Sequence, residues 1–258
     1  MDYKSVPTVR FVLYHILLIL VECKKTGVLK TLFSNPLKQN SRLFAIGDIH
    51  GCFQPFKQLI ETKINLKPTD KLILIGDYID RGPESKDVID YIIHLQKNGF
   101  DIVPLLGNHE AMLLEAYVNK DKILTWLFNG GAETLKSFKI SNLLDIDSVY
   151  IDFFRSLPHY YSLNEFLFVH AGFNDKITDP FEDKYTMLWH CSKKYANTIL
   201  KEKVIVHGHR PQKADALVHT IASDRNIINI DTGCVYADKE GYGKLTAIDI
   251  NTFAITSF

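Results

Sequence analysis

Leu72-Ile73-Leu74-Ile75-Gly76-Asp77 is an apolar run that ends on a glycine and a carboxylate, and Tyr78-Ile79-Asp80-Arg81-Gly82 follows at once. A short, unbroken apolar run between polar flanks is the signature of a strand buried on both faces. The same pattern recurs on either side of it. Residues 43–46 stop at Gly47-Asp48, residues 102–106 at Gly107-Asn108, residues 166–169 at His170, and residues 204–206 at His207-Gly208-His209. Helical spacing lies between these runs. Phe53, Phe56, Leu59 and Ile60 share a face, as do Val88, Tyr91, Ile92 and Leu95, with Gly99 as a stop. Residues 123–128 lead into Asn129-Gly130-Gly131, and residues 149–157 read as helix up to Pro158. Strands alternating with helices predict an α/β fold. No internal repeat or low-complexity stretch interrupts the pattern.

The polar residues are placed as tellingly as the apolar ones. Each cluster of Asp, His and Asn follows the end of a strand, where open α/β sheets bind their ligands. One sheet edge is therefore expected to gather Asp48, His50, Asp77, Asn108, His170 and His209. A single Gly-Asp after a strand is ordinarily only a turn, and a single His ordinarily a hydrogen-bonded core or surface residue. Five such clusters in succession are harder to attribute to turns. Two divalent cations roughly 3.5–4 Å apart clamp a phosphate and activate water. Imidazole and carboxylate ligands together suit manganese, iron or zinc. One carboxylate must bridge the pair, and Asp77, the middle member, is the candidate.

Composition narrows the classes. A chain of 258 residues suits one large domain, and 46% apolar with 23% charged residues is ordinary for a globular protein. Thirty basic residues balance thirty acidic ones, so no overall basic footprint points to nucleic acid or an anionic membrane. Cys23, Cys52, Cys191 and Cys234 stand far apart, with no Cys-x-x-Cys pair. That spacing argues against a structural zinc knuckle and reads as a reduced, cytoplasmic chain.

Residues 1–40 read as an amino-terminal extension, an apolar helix plus linker, before a catalytic domain over residues 41–258. The apolar run at 11–21 is short for a membrane span. It resembles part of a secretory signal, but Glu22-Cys23-Lys24-Lys25 offers no small-residue cleavage site. An extra helix, or translation from an upstream start, fits better. A membrane role is expected only if this run is a signal.

The series Gly47-Asp48-Ile49-His50-Gly51, Gly76-Asp77-Tyr78-Ile79-Asp80-Arg81-Gly82 and Gly107-Asn108-His109-Glu110 closely resembles the calcineurin-like metallophosphoesterases. Within them it looks like the bacterial-type serine/threonine phosphoprotein phosphatase branch. His170-Ala171-Gly172-Phe173, Gly208-His209-Arg210-Pro211 and Asn129-Gly130-Gly131 with Thr134 continue the likeness, over about residues 42–250. The resemblance implies two packed mixed β-sheets flanked by helices. It implies a dinuclear centre, manganese first, with Asp48 and His50 on one ion, Asp77 bridging, and Asn108, His170 and His209 on the other. His109 matches the general acid, Asp80 its orienting carboxylate, and Arg81 a phosphate clamp beside Asn108 and His109. A metal-bridging hydroxide would attack phosphorus in line.

One position departs from the pattern. Bacterial members show Leu-Trp-x-Arg, whereas this chain reads Leu188-Trp189-His190-Cys191. Lys193, Lys194 or Arg210 is left to supply the missing cation, and a lysine lacks the guanidinium fork. His207 reads either as a ligand or as support for His209. Glu110 reads as a loop anchor, Asp231-Thr232-Gly233-Cys234 as structural support, and Trp126 and Trp189 as core. Tyr160 and Tyr161 either line the cleft or pack. Three functions follow. A phosphatase acting on phosphorylated protein leads, and hydrolysis of dinucleoside polyphosphates such as diadenosine tetraphosphate is the alternative. A non-catalytic phosphate-binding module is third, and the intact ligand set and His109 argue against it. The oligomeric state stays open.

Overall fold

The computed structural model describes residues 41–258. The amino-terminal extension read from the sequence lies outside the described residues. Strand β1 (Leu43–Ile46) leads through α1 (Phe53–Gln58) and one π-helical turn to β2 (Lys71–Leu74). Helix α2 (Ser85–Lys97) then connects to β3 (Asp101–Pro104), which is followed by α3 (Asn108–Val118). Helices α4 (Ile123–Trp126), α5 (Ala132–Phe138) and α6 (Ser148–Ser156) precede β4 (Tyr160–Leu163) and β5 (Phe166–Val169). The chain continues through α7 (Lys184–Trp189), β6 (Val204–His207), α8 (Ala214–Ser223) and β7 (Ile227–Asn229), ending with β8 (Thr246–Asp249) and β9 (Ile255–Ser257).

These strands form two mixed sheets, ordered β3-β2-β1-β8-β9 and β4-β5-β6-β7. Strand alternation divides the apolar side chains between layers. Leu43 and Ala45 join Ile73, Ile75, Phe168 and Val206 in a core between the sheets. Phe44 and Ile46 point the other way, with Leu72 and Leu74, into a core shared with α1, α2 and α3. The outer face of the second sheet buries Leu167, Val169 and Ile205 against Phe173 and Met187. Both faces of β1 and β2 are thus covered, which is why their sequences are continuously apolar.

Register positions the site. Ile46 pairs with Leu74, and Leu74 with Pro104, so the first sheet's parallel strands finish level. In the second sheet Phe168 pairs with Val206, and His207 with Asn229. The expectation of a single sheet edge needs correction. Asp48, Asp77 and Asn108 leave the first sheet, whereas His170 and His209 leave the second, and the site lies where the two sheets end together. Tyr160 and Tyr161 belong to β4 and pack, Tyr160 stacked on Phe181 at 4.7 Å and Tyr161 tilted on Phe168 at 6.4 Å.

Candidate metal centre

The turns that follow the strands are held in the left-handed backbone region. His50 (φ 46°), Asp77 (53°), Asp80 (71°), Arg81 (69°) and His209 (69°) all adopt it without being glycine. Such a conformation is sterically costly for an L-residue, at roughly 1 kcal/mol or more each, and clusters at functional sites. Glu110 holds two of the turns together. Its Oε2 accepts N–H bonds from Asp77 (3.0 Å) and Gly107 (3.1 Å), and its Oε1 from Tyr78 (2.8 Å) and Ile79 (3.2 Å). Burial, reinforced by the Asp77 charge, pushes the Glu110 pKa up to about 8 against the pull of those donors. Gly107 is obligatory here, since a Cβ would lie 2.2 Å from the Asp77 nitrogen and carboxylate.

Asp77 sits at the centre. Its Oδ2 lies 3.5 Å from His50 Nε2, 3.4 Å from His170 Nε2 and 4.0 Å from His109 Nε2, while Oδ1 accepts the His109 N–H at 3.1 Å. His50 Nδ1 donates to the Ile79 carbonyl and His170 Nδ1 to that of Ile75, each at 3.0 Å. Those bonds fix the tautomer that leaves Nε2 bare and facing inward. His170 Nε2 is 2.8 Å from Asn108 Oδ1 and 3.1 Å from His209 Nδ1, which is 3.0 Å from the same Asn108 oxygen. Imidazole lone pairs, an amide oxygen and a carboxylate therefore converge, and a divalent cation fits such a set. Two overlapping groups share Asp77: His50, Asp77 and His109, and Asp77, His170 and His209. Burial depresses the pKa of His50 and His170, and that of His209 to about 3, which keeps the imidazoles neutral as ligands. Burial would raise Asp77, but the surrounding histidines outweigh it and hold the carboxyl well below its usual range.

Asp48 lies at the margin of this cluster. Its oxygens accept the His209 N–H at 3.2 and 3.0 Å, and burial with the nearby Asp231 and Asp77 charges raises its pKa. Gly208 permits the approach, because a Cβ there would stand 2.0 Å from Asp48 Oδ1. His109 stands between the two jobs anticipated for this site: its Nε2 belongs to the first group, while its Nδ1 is 2.7 Å from Asp80 Oδ2. His109 Nε2 is buried without a hydrogen-bond partner. Burial lowers the His109 pKa, but Asp77 and Asp80 outweigh it and the net shift is upward. Asp80 is itself fixed by Thr134 Oγ1 (2.6 Å) and Trp126 Nε1 (3.0 Å), and Gly131 is bare because a Cβ would strike the Trp126 ring.

Arg81 reaches into the site with Nη1 2.6 Å from His50 Nε2, over Gly130, whose absent Cβ would be 2.9 Å from Arg81 Cγ. His207 is not part of either cluster; its Nδ1 is 3.0 Å from the Gly208 carbonyl, and it supports the turn that presents His209. At the departing position, burial pushes the Cys191 thiol up to about 11, opposed by the charge of Arg210 and a hydrogen bond to it. Arg210 and Cys191 line the same cavity, so an arginine stands beside the position where the sequence pattern lacks one. Trp189 packs against the core shared with α1, α2 and α3, as expected. It is only partly buried, and its ring meets His209 edge-on at 6.1 Å. No apolar pattern distinguishes it from Trp126, which is fully buried.

The fold and the shared Asp77 define a metal-dependent phosphoesterase. Residues 41–236 match the model of the calcineurin-like phosphoesterases, and the chain belongs to that family. Among relatives, it is 28% identical over 228 residues to bis(5′-nucleosyl)-tetraphosphatase PrpE (asymmetrical) of Anoxybacillus flavithermus, covering 79% of this chain and 88% of that one. It is 34% identical over 131 residues to the symmetrical bis(5′-nucleosyl)-tetraphosphatase of Pseudomonas entomophila, covering 50% of this chain and 42% of that protein. A solved putative diadenosine tetraphosphatase superposes with TM-score 0.59 at 19% identity, covering 86% of this chain and 95% of that one. A serine/threonine phosphatase of Saccharomyces cerevisiae gives 0.59 at 18%, covering 85% and 80%.

Proposed function

We propose that this chain hydrolyses bis(5′-nucleosyl) tetraphosphates, with diadenosine tetraphosphate as the representative substrate. One observation carries the choice: the likeness to the asymmetrical tetraphosphatase runs through 79% of this chain and 88% of that one, well beyond the metal motifs. The phosphoprotein expectation gives way, since the resemblance to a serine/threonine phosphatase, at 18% identity, speaks for the fold alone. Loop residues rather than the shared motifs choose substrates on a common scaffold.

In this reading Asp77, Asn108, His170 and His209 hold one divalent ion, and Asp77, His50 and Asp48 the other. Bound there, the ions supply Lewis-acid charge and lower the pKa of water. Manganese, iron and zinc all suit these ligands. The chain's own groups do the rest. Arg81 grips phosphate oxygens with a two-pronged donor. Arg210 adds a second guanidinium at the mouth. His109 keeps a proton on Nε2, with Nδ1 tied to Asp80, and delivers it to the departing oxygen.

The test is direct. Purified protein loaded with manganese is offered diadenosine tetraphosphate and a phosphoserine peptide in parallel, and products are separated by chromatography. Turnover of the dinucleotide is expected, with AMP and ATP as an off-centre cut requires. Turnover of the peptide alone would overturn the proposal.

A further inference from the structure

A cleft of about 470 Å³ opens beside the metal centre, between α3, α4 and α7. Three aromatic residues, Trp126, Tyr185 and Trp189, are among its lining. Trp126 lines it from within the core, and its indole N–H holds Asp80. Trp189 and Tyr185, one helical turn apart on α7, lie nearly parallel at 28° with ring centroids 6.3 Å apart. Tyr185 is 63% exposed, so its ring is open to a ligand in the cleft, whereas Trp126 is fully buried. The same cleft carries Glu115 and Lys122, paired at 3.1 Å.

We infer that the Tyr185–Trp189 pair is a shelf on which a purine of the substrate stacks, with that nucleotide's own α-phosphate at the metal centre. This deepens the proposed dinucleotide hydrolysis and rests on it. Aromatic rings with an open face bind bases by stacking, largely without regard to base identity, and a two-ring shelf favours a two-ring base. Distance sets which phosphate is presented. The shelf starts at Trp189, whose ring is 6.1 Å from that of His209. Only a ribose separates a base from its α-phosphate, so a base seated there brings that phosphorus to the ions rather than one further along the chain. Water then adds at the α-phosphorus and the bond from that phosphorus to the bridging oxygen breaks. The nucleoside monophosphate keeps the new oxygen, and the triphosphate departs with the bridging oxygen and takes up the proton from His109.

Three measurements decide it. First, AMP and ribose 5-phosphate are compared as competitive inhibitors of p-nitrophenyl phosphate hydrolysis by the full-length, metal-loaded protein. A stacked base is expected to make AMP about tenfold tighter, and Tyr185→Ala to erase most of that difference while Tyr185→Phe retains it. Because Tyr185 is exposed, this variant spares the core. Equal inhibition by the two ligands in the unaltered protein would overturn the shelf, whatever the natural substrate is. Second, Tyr185→Ala should raise KM for diadenosine tetraphosphate about tenfold more than it raises KM for p-nitrophenyl phosphate. Parallel changes would sink the inference. Third, turnover in ¹⁸O-water should leave the label in AMP, and label in ATP would refute the assigned placement. Failure of the unaltered protein to cleave the dinucleotide at all, with AMP still bound tenfold more tightly than ribose 5-phosphate, would overturn the hydrolase reading and leave a nucleotide shelf standing.

Discussion

At Cys191 a half-buried thiol stands where the resembled pattern has an arginine, and Arg210 lines the same cavity. A charge-assisted guanidinium contact is worth on the order of 1.5–3 kcal/mol, or roughly ten- to hundredfold in transition-state binding. Arg210→Ala should therefore lower kcat/KM on the dinucleotide by about that factor. Cys191→Arg should bring no gain, because the added guanidinium would crowd Arg210 beside the Gly208 carbonyl, which Cys191 Sγ approaches at 3.8 Å. A large improvement in Cys191→Arg, read by steady-state kinetics on folded protein, would show that the position is vacant. His109 gives a second prediction. Its proton matters most when the departing group is a poor one. His109→Asn should slow an alkyl phosphate by roughly the 10²–10⁴-fold typical of a lost general acid, and a polyphosphate or nitrophenyl ester far less. Equal slowing of both classes, with metal content unchanged, would remove His109 from that role.

The turns depend on Glu110 more than on any ligand. Glu110→Gln puts an amide where a carboxylate oxygen now receives two N–H bonds. Each buried donor left without an acceptor costs roughly 1–3 kcal/mol, and each kcal/mol lowers Tm by about 2–4 °C in a domain of this size. A fall of several degrees is expected by calorimetry, with activity lost together with it; an unchanged Tm would show that the four bonds carry little. The strand-end rule was legible because the strands that feed the site are buried on both faces and hence apolar throughout. Strands β1 and β5 have the bounds their apolar runs predict. Strands β2 and β3 begin one residue earlier, at Lys71 and Asp101, which face one another in the ladder and form an ion pair of 2.6 Å. A polar pair at a strand start breaks no hydrophobic pattern, so it leaves no mark. Strands β4, β7, β8 and β9 are partly polar, and none was anticipated. Strands β5 and β6 were legible as apolar runs, but their separation into a second sheet only through the family resemblance, and the partial exposure of Trp189 not at all, since a tryptophan carries the same letter buried or half-exposed.

For the whole molecule, the centre lies where two sheets end, so its ligands hold those ends in line. Its neutral imidazole nitrogens, carboxylates and amide oxygen all offer lone pairs, which a divalent cation would join. Chelation should abolish activity and lower Tm, and divalent metal should restore both. With ligand at a hundred times Kd, linkage supplies about 2.7 kcal/mol per site, a shift of roughly 5–11 °C. Full activity in chelator, with metal content shown to be negligible, would end the dinuclear reading. Among the described residues no helix is long and apolar enough to cross a membrane. The left-handed turns have a further consequence for anyone who breeds this protein in the laboratory. At each of those corners glycine is the conformationally relaxed choice, and Arg81 is half-buried, unlike His50, Asp77 and Asp80. Arg81→Gly should leave the thermal midpoint level or slightly raised and remove turnover. A screen that rewards heat resistance alone would gather such exchanges and end with a population that is folded, durable and silent. Selection for catalysis must accompany it in every round.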